Sequence, residues 1–414
     1  MTTSSSKRQW GFRTNLLRED GEHADRVSFL ELFFDLVFVF AVTELAHTLV
    51  YAIDKGQALE GILQTTVLLL AVWWVWVYTA WSTNWLDPDK TPVRWMLLIL
   101  MLFGLLMSTS IPEAFGDRAL VFVTAYVVMQ IARSLFTALG LGRFTPETGL
   151  NVFRLTIWFA VSAIFWFAGA LVDDLTLRLG LWGVAITIEY LGPVSGYRVP
   201  FLGRMVTSRL AIRGGHIAER AGLFMIIAIG ESILVTGSAF AEHPIEPAGT
   251  LAFLSSLIGS IALWLLYFSR AESGGSRFIR RHDNPSQVAA NSYTYLHVVL
   301  VAGIVLVAVA DELVLAHPES PVSFTGLALI YGAPAVYLLG NLLFKRSIGA
   351  PWLRSHLLGI VTLMVFVLGA TVVVPGLSFV VHSCVSTIVL IGVVIGEELD
   401  FRRNRTLQLA ASGT

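Results

Sequence analysis

Glu31-Leu32-Phe33-Phe34-Asp35-Leu36-Val37-Phe38-Val39-Phe40-Ala41 decides the fold. It sets two carboxylates one helical turn apart inside an apolar run from Ser28 to Val50. At about 1.5 Å per residue, a helix of that length crosses a bilayer. A charge at the centre of a membrane helix costs roughly 2.5–3.5 kcal/mol on insertion scales, so ionisable groups there face a protein interior or a pathway. Glu44 and His47 follow in the last third of the same run. The segment reads as a membrane helix with a polar inner face.

The rest of the chain agrees. Hydrophobic residues make up 55% and charged residues 14% of the 414, against about 25% charged in a soluble domain. The mean hydropathy is +0.72. A net charge of -1, with no basic tail and no basic patch interleaved with aromatics, gives no footprint for nucleic acid. Cys384 is the single cysteine, which rules out an intramolecular disulfide and a cysteine metal motif. There is no HExxH, no histidine pair at i, i+4, no Walker loop and no GxSxG. No metal, cofactor or enzymatic role is therefore expected.

Hydropathy places twelve spans at about 28–50, 62–83, 94–111, 118–139, 151–172, 178–197, 217–240, 248–269, 292–313, 324–344, 355–374 and 376–396. Breakers such as Asp87-Pro88-Asp89, Pro112, Gly214-Gly215 and Pro375-Gly376 separate them. With both ends placed on one side, all but four of the 28 Lys and Arg fall on that side; the exceptions are Lys55, Arg118, Arg178 and the in-span Arg133. The positive-inside rule makes that side cytoplasmic. Residues 1–27 form an N-terminal cytoplasmic tail, 198–216 a basic cytoplasmic linker and 397–414 a C-terminal tail. The aromatic group from Trp73 to Trp85 reads as an interface anchor.

Residues 28–197 and 217–396 also look like two copies of one six-helix unit. Laying 151–197 on 351–397 pairs Arg154 with Arg354, Gly169 with Gly369, Gly192 with Gly392 and Gly196 with Gly396. Other alignments pair Glu44 with Glu231, Gly104 with Gly303 and Glu113 with Glu312. An even number of spans per copy makes the repeats parallel. The expected architecture is an all-α polytopic membrane protein of about twelve transmembrane helices in two parallel six-helix repeats.

Two motifs carry a resemblance. Val27-Ser28-Phe29-Leu30-Glu31-Leu32-Phe33-Phe34-Asp35-Leu36-Val37-Phe38-Val39 opens the first span, and Glu219-Arg220 followed by Gly230-Glu231-Ser232-Ile233 marks the seventh. Through them the chain resembles the bacterial low-temperature-requirement A (LtrA) family over roughly residues 25–400. The resemblance implies a multi-pass protein of the bacterial cell (inner) membrane, in a family named for a growth phenotype in the cold. It brings no established substrate or mechanism.

The candidate residues follow from depth and charge. Asp35 lies about 10 Å into its span by helical rise and needs a partner. Arg133, at similar depth in the fourth span, is the expected one, as a structural ion pair or as a gate or proton relay. Glu31 shares the helix face of Asp35, close enough to the cytoplasmic edge for partial solvation. Glu44 and Glu231, matched in the two copies, suit a proton or monovalent cation, and His47 could share the proton of Glu44. Glu189 is a deep acid in span six. Glu312, His297 and His382 complete the set, the histidines reading first as partners in interhelical hydrogen bonds. The leading expectation is a transporter or channel for a small solute, proton or monovalent cation, with the lipid bilayer as its surroundings. The alternatives are a membrane enzyme acting on lipid or isoprenoid substrates and a structural or stress-related scaffold.

Overall fold

The computed structural model describes residues 15–18, 26–143, 145–205, 212–242, 244–268, 290–373 and 376–412. Among them twelve long helices follow one another: α1 (Phe29–Asp54), α2 (Ala58–Trp85), α3 (Thr91–Ser108), α4 (Ala119–Gly142), α5 (Pro146–Ala170), α6 (Leu175–Ser195), α7 (Gly214–Ala241), α8 (Pro247–Phe268), α9 (His297–Ala316), α10 (Phe324–Ser347), α11 (Arg354–Val373) and α12 (Phe379–Ser412). The chain is an all-α polytopic membrane protein. Ten of the helices are long and apolar enough to cross a membrane. The two that fall short are α6, which carries Arg178 and Glu189, and α11, whose apolar stretch Arg354–Gly369 is shorter. Residues 206–211 of the basic linker, including Arg209, and the stretch holding Arg270, Arg277, Arg280 and Arg281 lie outside the described residues.

Local chemistry sets the helix ends. Asp174 caps α6, its Oδ1 accepting from the Leu177 amide at 2.7 Å, which starts the helix before the expected Arg178. Gly196, at φ +64°, closes it in the left-handed region that a Cβ disfavours. The side chain of Arg178 turns back to the carbonyls of Gly169 and Val172, at 3.1 Å each, occupying acceptors that α5 leaves open at its C-terminus. Past Gly396, the expected end of the last span, α12 runs on to Ser412 through a charged sequence free of Gly and Pro.

Two compact units divide the residues, the boundaries falling within α1, α2 and α7. The first comprises residues 1–41 and 70–220. Its α4 and α5 lie so close that a Cβ on Gly149 would stand 2.3 Å from the Gly142 Cα. An aromatic core fills its interior, with Trp74, Trp166 and Trp182 fully buried. The aromatic group after Trp73 is part of that interior: Trp73, Trp74, Trp76 and Trp81 are all buried, which corrects their reading as an interface anchor.

The second unit comprises 42–69 and 221–414. Here α9 and α10 approach through two glycines. A Cβ on Gly303 would stand 2.7 Å from the Tyr337 Cα, and one on Gly340 would stand 2.9 Å from the Leu300 nitrogen. Small residues permit such backbone approach where lipid leaves little hydrophobic drive between helices. Large apolar side chains such as Phe29, Leu171 and Leu368 point outward, as a lipid-facing surface requires.

Candidate functional site

In the first unit, the acidic face of α1 is closed by side chains from α2 and α7. Glu31 is completely buried, contrary to its expected partial solvation. Its Oε2 accepts from the Ser28 amide at 2.9 Å and from Arg18 at 3.1 Å. Its Oε1 accepts from His216 Nε2 at 2.9 Å and from Arg220 at 3.3 Å. Four donors therefore hold one carboxylate.

Asp35, one turn deeper and also fully buried, is bound differently. Its Oδ1 accepts from Arg220 at 2.9 Å and from the Trp76 indole at 2.7 Å, while its Oδ2 has no hydrogen-bond partner. Arg220 thus bridges both acids, Nη2 reaching Asp35 and Nη1 reaching Glu31, and the same Nη1 donates to Thr83 Oγ1 at 2.5 Å. Its guanidinium lies 5.7 Å from the Phe34 ring centroid and 5.9 Å from that of Trp76. Such a planar cation, with its fork of donors, suits a dry bridging position better than a lysine would.

His216 is fixed by its neighbours. Asn84 gives its amide hydrogens to the Arg213 carbonyl at 2.9 Å and to His216 Nδ1 at 3.2 Å. Because that amide nitrogen only donates, Nδ1 must accept, and the ring proton sits on Nε2, aimed at Glu31. With the imidazole neutral, two carboxylates face two guanidiniums, and the cluster balances its own charge. Burial of four ionic groups is tolerable only on those terms.

Arg133 is not the partner of Asp35. It donates to the Val75 carbonyl and Thr79 Oγ1, each at 3.2 Å, and to Gln130 Oε1. Depth alone matched it to Asp35; the helix that packs against the acidic face of α1 is α7. Gln130 in turn donates to the Tyr126 hydroxyl at 3.1 Å, and Tyr126 donates to Glu189. Glu189 further accepts from Ser162 at 2.6 Å and Trp166 at 3.0 Å. This is a second buried polar chain, linking a guanidinium to a carboxylate through two neutral side chains.

The remaining candidates lie in the second unit. Glu231 accepts from Thr43 at 2.7 Å, next in sequence to Glu44, and both acids are half-buried. His47 stands 3.9 Å from Glu312, with both side chains partly exposed. His297 meets the Tyr267 hydroxyl at 2.9 Å and the Ser292 carbonyl at 2.8 Å, and His382 meets the Tyr331 hydroxyl at 2.8 Å. Both are satisfied structural histidines. Sequence reasoning missed Arg18, Trp76, Thr83, Asn84 and His216. It also treated Arg220 as a topology determinant, although Arg220 stands in the second motif.

The geometry falls on both motifs that carry the resemblance. The chain matches the family described as bacterial low temperature requirement A protein over residues 26–395. It is also 37% identical to the uncharacterized protein RA0937 of Rhizobium meliloti (strain 1021) over 348 residues, covering 84% of each chain. No solved structure matches it. With Glu31 and Asp35 in the first motif bridged by Arg220 of the second, and the match running almost end to end, the chain belongs to the bacterial low temperature requirement A family.

Proposed function

We propose that the protein is a transporter or channel for a small solute, proton or monovalent cation in the bacterial cell (inner) membrane, with both termini cytoplasmic and its two halves parallel copies. The supporting observation is Asp35. Within a fully buried cluster it keeps one carboxylate oxygen outside every hydrogen bond while the other holds Arg220. Glu31 has no such spare capacity. A proton or cation arriving at Asp35 Oδ2 weakens the hold on Arg220, which falls back on Glu31 and Thr83. The bridge then has two arrangements, as a gate requires. We assign no catalytic step to any of these residues.

Flux into proteoliposomes, scanned over protons and monovalent cations, tests the reading. The wild type is expected to exceed empty vesicles for at least one ion, and Asp35→Asn to lose that flux while still eluting as folded protein. Absence of flux for protons and for every monovalent cation would refute the ion-conducting reading. Reporter fusions at 51–60 and 198–216 should read outside and inside. The scaffold reading draws on a specific observation too: Glu31 and Glu189 have every carboxylate oxygen bonded. It takes over if Asp35→Asn changes only the melting temperature.

A further inference from the structure

A second polar interior, in the second unit, is built on different chemistry. Asp311 of α9 is buried, only 8% exposed. One of its oxygens accepts from Ser256 Oγ at 2.8 Å; the other, Oδ2, has no hydrogen-bond partner. The residue lines a cavity of about 30 Å³ together with Ser255, Ser383, Ser386 and Thr387. Ser255 Oγ lies 2.9 Å from Ser383 Oγ and 3.0 Å from Thr387 Oγ1, so three hydroxyls from α8 and α12 form one patch.

The fourth wall comes from a helix that contains a proline. Pro334 sits inside α10 and has no amide hydrogen, so the Ile330 carbonyl one turn back loses its helical donor. Ser386 Oγ reaches it instead, at 2.8 Å. Both Ile330 and Pro334 line the cavity.

We infer that this cavity is a binding site for a small monovalent cation of the sodium type. Every polar side-chain atom among the lining residues is oxygen, and hard cations take oxygen ligands. Asp311 is the one charged side chain among the lining residues, so a single positive charge neutralises the site, whereas a divalent ion would leave an uncompensated charge in a dry interior. A water molecule needs roughly 10–15 Å³ on the same measure, so the space admits an ion or one or two waters and excludes an organic solute. The Ile330 carbonyl, deprived of its helical donor, adds one more oxygen beside the acid and hydroxyl groups. The site extends the transport reading without resting on it, because binding needs no flux.

The test uses the full-length protein in detergent, melted at constant ionic strength in sodium chloride or choline chloride. Sodium should raise the melting temperature of the wild type by about 2 °C or more, saturably, as expected for a ligand of the native state alone. Asp311→Asn should abolish the rise. Thr387→Val, which keeps the shape and removes one oxygen, should raise the half-maximal sodium concentration by about tenfold, the equivalent of about 1.4 kcal/mol. Equal melting in sodium and choline overturns the inference, as does a full sodium shift in Asp311→Asn. Where Asp311→Asn yields no folded protein, Thr387→Val decides, and an unchanged midpoint overturns the site. A sodium shift without flux keeps the site and dismisses the transport reading; flux without a shift does the reverse.

Discussion

Replacing Arg220 by Gln separates the acids it bridges. Glu31 loses one contact of 3.3 Å and retains Arg18, His216 and the Ser28 amide. Asp35 loses its one cationic partner and retains only the Trp76 indole. Breaking a buried ion pair from one side costs about 3–5 kcal/mol, because the survivor stays charged and dry. Nearly all of that cost should fall on Asp35. Double-mutant cycles on purified protein, unfolded reversibly in mixed micelles, resolve it. The Asp35→Asn/Arg220→Gln pair should couple by about 2–3 kcal/mol, and Glu31→Gln/Arg220→Gln by less than about 1 kcal/mol. Asp35→Asn/Arg133→Gln should add simply, within about 0.5 kcal/mol. If Asp35 coupled more strongly to Arg133 than to Arg220, or if Asp35 and Arg220 were additive, the assignment of the bridge would be wrong.

Three further outcomes are expected. Glu189→Leu leaves the Tyr126, Ser162 and Trp166 donors without their acceptor in a buried site, so it should destabilise by about 3 kcal/mol or more, read as a lowered melting temperature; Glu189→Gln, which keeps one acceptor oxygen, should lose less. Lys345→Met strips Glu397 of its bidentate partner at 2.7 and 2.8 Å and leaves it only His356 at 3.9 Å, a loss of about 3 kcal/mol that Lys345→Met/Glu397→Gln should partly restore in the same assay. Gly303→Ala drives a methyl into the Tyr337 backbone, which cannot yield as a side chain would; the yield of monodisperse protein should fall sharply, while Gly332→Ala, which meets nothing within 4 Å, should behave as wild type.

The spans were readable because hydropathy, Pro and Gly breakers and charge asymmetry all report on the same boundaries. Partnership inside the bundle was not. Depth along a helix can be counted from sequence, but which helix faces which cannot, so Asp35 was matched to a cation at its own depth rather than to Arg220. Trp73, Trp74 and Trp76 show the same limit: a tryptophan within a span has the same sequence signature whether its ring meets lipid or an aromatic core. Asp311 and Glu312 are neighbours about 100° apart on one helix. One turns into a hydroxyl-lined cavity and the other towards His47, and only the packing of α9 decides which.

The bridge also imposes an order on synthesis. Glu31 finds Arg18 only 13 residues earlier in the chain, so it can be neutralised as soon as α1 forms. Asp35 must wait for a residue 185 positions later. At about 5–20 residues per second, that interval lasts roughly 10–40 s. Throughout it, α1 carries a carboxyl group without its cation, close to lipid, so the nascent helix has to hold Asp35 protonated or remain sheltered beside the insertion machinery until α7 arrives. α1 is thus made well before the charge of Asp35 is balanced.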